Sequence, residues 1–67
     1  MKGIMEISVV VPVYNESDNI PILETEIRKV LTTSGLSWEC IWVDDASQDS
    51  SWQEIKKLEF PNKGISL

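Results

Sequence analysis

The junction Ile41-Trp42-Val43-Asp44-Asp45-Ala46-Ser47-Gln48-Asp49 constrains this chain most. An apolar run stops at two adjacent carboxylates and passes at once into small residues that start helices. A buried strand ending this way delivers acceptors to the rim of a sheet. In open α/β folds, ligands bind at that rim, outside the carboxyl ends of the strands. The rest of the chain must supply the neighbours that hold such a strand.

Met5 to Val11 reads as one neighbour. After Glu6 only Ser8 is polar, and a near-continuous β-branched run suits a strand of a parallel sheet. Pro12 is expected to end the ladder, having no N–H to donate, so Pro12 to Glu16 reads as a loop. Ser17, Asp18 and Asn19 are candidate N-caps for a helix with Pro21 in its first turn. Ile20, Leu23, Ile27, Val30 and Leu31 recur at helical spacing as one apolar stripe. Glu24, Glu26, Arg28 and Lys29 occupy other faces, with Glu24 and Arg28 spaced for an i, i+4 pair. Gly35 suits the position just past the helix end.

Trp38 to Asp44 is the second strand, with Trp38, Cys40 and Trp42 on one face and Glu39, Ile41 and Val43 on the other. Ser47 or Asp49 is placed to cap a helix running to about Leu58, with Trp52, Ile55 and Leu58 inward. Phe60 to Gly64 reads as a turn and Gly64 to Leu67 as the start of a third strand. The order is β-α-β-α-β with short connections, an α/β pattern that implies a parallel, Rossmann-like sheet with right-handed crossovers. If both crossovers wind the same way, both helices cover one face and the other is left bare. A contiguous bare apolar face is unusual on a monomer.

That expectation agrees with size. A chain of 67 residues buries only about 60% of its unfolded surface. It has one cysteine and no histidine, so it offers neither an internal disulfide nor a zinc site. The chain is therefore expected to be the first part, residues 1–67, of a larger α/β domain. The missing cover would be the remainder of that domain or a self-association partner.

Eleven acidic against six basic residues give a net charge of −5. Nothing here forms a basic stripe for nucleic acid, nor a basic anchor for a membrane surface. Met1-Lys2-Gly3-Ile4 does not open a signal peptide, because the apolar run after Glu6 is broken by Pro12. A cytoplasmic location is expected.

Both loops leave the carboxyl ends of strands. If the two strands are neighbours, the loops are expected to face each other across a crevice. Pro12, Tyr14 and Glu16 would form one wall, and Val43 and Asp45 the other. A ring, an apolar ledge and a hydrogen-bond-accepting carboxylate suit a flat heterocycle with N–H donors, such as a nucleobase. A carboxylate is a poor partner for phosphate.

The pairing of Pro12-Val13-Tyr14-Asn15-Glu16 with Asp44-Asp45-Ala46-Ser47-Gln48-Asp49-Ser50-Ser51, about 30 residues apart, resembles the opening of the family 2 glycosyltransferases of GT-A fold. The nearest branch holds dolichyl-phosphate mannose synthase and bacterial polyprenyl-phosphate sugar transferases. The resemblance covers essentially the whole chain. It implies a nucleotide-sugar donor whose nucleotide is lined by Pro12, Tyr14 and Glu16, met by the Val43 backbone and hydrogen-bonded at the base by Asp45. Asp44 would support the turn. Ala46 stands where the family often has glycine, a change tolerable if its φ is negative. The resemblance also implies a divalent metal, Mg or Mn, for the complete enzyme. Its Asp-x-Asp motif, catalytic base and acceptor site would lie outside this stretch. The acceptor would be lipid-linked, a polyprenyl phosphate, with any membrane contact made through that lipid or through further parts of the chain.

Each residue also has a plainer reading. Asp45 can cap the following turn. Tyr14 can be an ordinary half-buried ring, and Glu16 a solvated charge at a helix N-terminus. Pro12 can be only a strand terminator. Trp38, Trp42 and Trp52 read as packing residues, and Cys40 as a small buried hydrophobe. Lys56 and Lys57 read as a solvated helix face. A competing reading of the whole is a non-catalytic nucleotide-binding or dimerisation module on the same half-fold. A dinucleotide-binding domain is disfavoured because the first loop has no glycine-rich phosphate turn.

Overall fold

A computed structural model describes residues 5–67. Its elements run β1 (Ile7–Val13), α1 (Ile20–Thr33), β2 (Trp38–Asp44), α2 (Ser51–Lys56) and β3 (Asn62–Ser66). The three strands form one parallel sheet in the order β1-β2-β3. This is the Rossmann-like β-α-β-α-β unit expected from the alternation of strand and helix patterns.

Burial alternates along β1 and β2 with the period of two that strands impose. Val9, Val11 and Val13 share a face with Cys40, Trp42 and Asp44, and the helices cover that face. Val13, Ile20, Cys40, Trp42 and Ile55 form the buried cluster. The opposite face carries Val10, Pro12, Ile41, Val43 and Ile65 by register. Val10 is 60% exposed there and Ile65 47%. Both helices do lie on one face, and the other is bare.

Pro12 corrects the reading of β1. It lies inside the strand, paired in register with Val43. The carbonyl of Val13 accepts from Asp45 N on the β2 side. Strand residues turn alternately to their two neighbours, so the Pro12 nitrogen turns to the outer edge, where no strand of the described residues lies. The missing N–H costs the ladder nothing.

The stripe on α1 is only partly covered. Ile20 is buried, and Ile27 and Leu31 are half-buried, while Leu23 and Val30 are exposed. The sheet ends at β1, so this side of α1 has no floor. An apolar groove of about 290 Å³ runs between α1 and β1 there, lined by Val9, Ile27, Val30 and Leu31. Glu24 faces inward, contrary to the pattern. Its carboxylate takes a 2.8 Å bond from Arg28 Nε and a 2.9 Å bond from Asn62 Nδ2. Asn62 Oδ1 in turn accepts from the buried Trp42 indole at 2.8 Å. Arg28 stacks over Trp38, 5.5 Å from its ring centre. β3 starts at Asn62 and not at Gly64: Cys40 N reaches the Pro61 carbonyl at 3.1 Å, so pairing with β2 begins there, and the Asn62 side chain has a partner on each side.

The ends of α1 follow local chemistry. Asn19 stands at the N-cap, but its side chain makes no capping bond; its amide instead donates to Glu16 Oε1 at 2.7 Å. Pro21 sits in the first turn. Gly35 takes φ +76 just past the C-cap Ser34, the left-handed conformation glycine adopts without penalty. The second helix stops at Lys56, one turn-half short of Leu58, whose N–H still reaches the Ile55 carbonyl at 3.0 Å.

Candidate functional site at the strand ends

The carboxyl ends of β1 and β2 form the site. The two strands pair from Ile7 opposite Trp38 to Val13 opposite Asp44. Asp45 N donates to Val13 O at 2.9 Å and carries the ladder one step further. Pro12 and Val43 lie side by side on the uncovered face. Tyr14 and Asp45 follow directly on the last paired residues, and both are exposed. Four of the five expected residues thus occupy two adjacent columns at one sheet corner.

Glu16 stands apart from them. Its carboxylate is engaged by Asn19, and it lines a groove of about 150 Å³ on the α1 side, with Pro12, Ile20 and Trp42. Pro12 is the residue common to that groove and to the uncovered corner.

The adjacent carboxylates diverge because they alternate. Asp44 follows Trp42 onto the covered face and is 2% exposed. Its Oδ2 takes a long 3.4 Å bond from Ser47 N, a weak turn support. Its Oδ1 has no hydrogen-bond partner among the described residues. Asp45 is exposed, and its carboxylate makes no hydrogen bond among the described residues.

The expected crevice between the loops is closed by hydrogen bonds. Three successive amides of the first loop each reach an acceptor on the second. Asn15 N donates to Ser47 Oγ at 2.9 Å, Glu16 N to Ser51 Oγ at 2.8 Å, and Ser17 N to Asp49 Oδ2 at 3.2 Å. Gln48 N returns a 2.8 Å bond to Asn15 Oδ1. Asn15 can serve both ways because it sits at φ +51, a region asparagine tolerates better than most residues. Ala46 sits at φ +55, which corrects the expectation of negative φ there. The turn needs a left-handed residue, and alanine fills it under strain.

Of these side chains, Ser47 and Asp49 were legible only as helix caps. The N-cap of α2 is Ser50, with no side-chain capping bond; Asp49, one residue before it, takes Ser51 N on Oδ1 at 2.9 Å. Its other oxygen, with Ser47 and Ser51, reaches across 32 to 35 residues to the first loop. No local pattern announces such a partner. The alternation of small hydroxyl and acidic residues at 47, 49 and 51 is the only trace in the sequence.

The electrostatics are acidic. There is no Lys or Arg from Pro12 to Asn19 or from Val43 to Ser51. Hydrogen bonds from Ser51, and then from the Ser17 amide, hold the Asp49 carboxyl down at about 2. Burial, with the Glu24 charge nearby, pushes the Cys40 thiol up to about 11, so it is no nucleophile at neutral pH. Beyond the corner, Ser8 and Lys63 bind Glu39 and lower its pKa. Among the described residues no group of three or more His, Cys, Asp or Glu is placed to hold a metal ion. Asp44 and Asp45, turned to opposite faces, do not fit one. No described helix is long and apolar enough to cross a membrane.

Comparison with known proteins bears on what such a corner is for. The model of the family described as glycosyl transferase family 2 matches residues 8–67. A dolichol-phosphate mannosyltransferase of Pyrococcus furiosus is 38% identical over 63 residues, covering 91% of this chain and 17% of the relative. An uncharacterized glycosyltransferase of Synechocystis is 33% identical over 63 residues, covering 94% and 20%. An undecaprenyl-phosphate 4-deoxy-4-formamido-L-arabinose transferase of Salmonella paratyphi B is 42% identical over 54 residues, covering 81% and 16%. The chain spans a fifth or less of the length of these relatives.

Proposed function

The chain belongs to glycosyl transferase family 2, and from that membership we propose that it holds the nucleotide of a nucleotide-diphosphate sugar donor at the corner of β1 and β2. The base lies against Pro12, Val43 and Tyr14, and Asp45 accepts from its N–H groups. Glu16 bounds the first loop on the α1 side. The observation that carries this reading is the register of Pro12 with Val43. It sets an apolar floor beside an exposed carboxylate that no donor among the described residues occupies. The absence of nearby cations suits the base end of a nucleotide better than its phosphates.

The whole enzyme would pass the sugar to a polyprenyl phosphate at the cytoplasmic face of a membrane. The names of the mannosyl and arabinose transferase relatives support that acceptor class. The residues described here would bind and orient the donor, a contribution made through positioning. They do not assemble a metal site, so no step in this reading runs through the expected Mg or Mn ion. Residues other than these would hold it.

The test is calorimetric titration of the chain with uridine and guanosine diphosphates, repeated with Asp45→Asn. The exchange keeps shape but replaces an acceptor oxygen by a donor amide. A loss of about tenfold in affinity is expected for the nucleotide that binds, the size of one charge-assisted hydrogen bond. Unchanged affinity rules out base reading by Asp45. The uncovered Val10 and Ile65 favour a second reading, a non-catalytic nucleotide-binding module that self-associates through that face. Sedimentation equilibrium separates the two: a concentration-dependent dimer supports the module.

A further inference from the structure

We infer that Ser47, Ser51 and Asp49 are positioning residues, which lock the first loop onto the second and so fix Tyr14 against Asp45. The inference rests on the nucleotide reading for its purpose and on the hydrogen bonds for its substance. The side chains at the start of the first loop lie outside the core, and its far end is tied to α1 by the Glu16 carbonyl, which accepts from Asn19 N at 2.9 Å and Ile20 N at 3.2 Å. Tyr14, Asn15 and Glu16 are exposed, and the ladder between β1 and β2 ends at the Val13–Asp45 bond. Beyond that point four hydrogen bonds join the loops.

Those contacts form a comb. Three consecutive N–H groups, at 15, 16 and 17, would all seek water in an isolated loop. Each is instead taken by a different side chain from one five-residue stretch. The acceptors differ in strength and place. Ser51 is fully buried, so its bond is sheltered from water and an unmet Glu16 amide there is costly. Asp49 supplies an ionised acceptor, the stronger kind, and shares it between Ser51 N and Ser17 N. Ser47 meets Asn15, which answers through Gln48, so this pair also fixes the relative slide of the two loops.

The consequence concerns Tyr14. It is bracketed between the last ladder bond, at Val13, and the first comb bond, at Asn15. With both in place its backbone has little freedom to swing from the corner. Asp45 is bracketed in the same way between its own ladder bond and Ser47. The comb therefore sets the spacing of the two backbone segments that carry the ring and the carboxylate, while bonding to neither side chain. A site held to a fraction of an ångström by supporting residues binds better than one held by its contact residues alone.

The test uses the isotope-labelled chain, with Ser47→Ala, Ser51→Ala and Ser47→Thr. Amide hydrogen exchange is measured at residues 15 to 17, together with the amide shifts of Tyr14 and Asp45 and the affinity for uridine and guanosine diphosphates. Ser47→Ala is expected to speed exchange at Asn15, and Ser51→Ala at Glu16, by about tenfold each, the loss of one hydrogen bond. Both move the Tyr14 and Asp45 shifts and weaken nucleotide binding by a similar factor. Ser47→Thr, which keeps the hydroxyl, restores all three. If exchange is unchanged in both alanine variants, the comb does not hold the loop. If exchange rises while the shifts stay put, it holds the loop without positioning the pair. Either result overturns the inference. A wild-type chain that binds neither nucleotide defeats the nucleotide reading, while exchange and shifts still judge the comb.

Discussion

Gly64 lies directly beneath Ile55: a Cβ built on the glycine would stand 2.6 Å from Ile55 Cγ2 and 3.1 Å from the Trp52 ring. The second helix rests on β3 through this missing side chain. Gly64→Ala should therefore lift α2 and overpack the core, at a cost of about 1–3 kcal/mol. Urea unfolding followed by tryptophan fluorescence checks it. A midpoint equal to wild type would show that α2 is free to move away.

Ala46 offers the opposite exchange. At φ +55 its Cβ carries a strain of about 1 kcal/mol that glycine lacks. Ala46→Gly should raise the unfolding midpoint, by somewhat less than that strain because glycine also loosens the unfolded chain. A lowered midpoint would place the turn in a different conformation.

Among the described residues, Asn62 is the single acceptor for the indole N–H of the fully buried Trp42. Asn62→Ala should leave that donor unmet and cost about 1–3 kcal/mol. Asn62→Asp keeps an acceptor for Trp42 but sets a second carboxylate against Glu24, and it should also destabilise. The Trp42 indole proton in an NMR spectrum reports the difference: retained in position for Asp, shifted for Ala.

Asp49 gives a pH signature. Its carboxyl is lowered from the ordinary 3.8 to about 2 in the folded chain. A depressed carboxyl binds fewer protons folded than unfolded, so its contribution is complete above the unfolded value. It is lost as pH falls from near 4 through about 2. Asp49→Asn should lower stability near neutrality, where that contribution is complete, and flatten the acid slope in that window. An unaltered acid slope would mean that other carboxylates carry it.

The sequence was most readable where one residue's role depends on its near neighbours. Alternation along Ile7–Val13 and Trp38–Asp44, the Glu24–Arg28 spacing, the buried Cys40 and the left-handed Gly35 all follow from short periods. Readings failed where a residue answers to something distant. Pro12 looked like a terminator because its tolerance depends on which strand edge is open. Glu24 looked solvated because its partner Asn62 lies 38 residues away. Ser47 and Asp49 looked like caps for the same reason. At the corner, the motif pair led to Pro12, Tyr14, Val43 and Asp45 as neighbours, since two strand ends in register need no long side-chain reach. It gave no hint that the loops between them are bonded shut.

The register of the parallel ladder has a consequence for how the chain reaches this shape. Pairing β1 with β2 joins residues 31 apart, as Ile7 to Trp38, and pairing β2 with β3 joins residues 22 apart, as Cys40 to Asn62. The entropy of closing the longer crossover exceeds that of the shorter by only about 0.3 kcal/mol, less than thermal energy. Neither end of the sheet is therefore kinetically privileged by chain length. Every strand contact is non-local, with no hairpin to nucleate the sheet. Folding should proceed on the millisecond scale of mixed α/β domains, slower than a helical bundle of equal size.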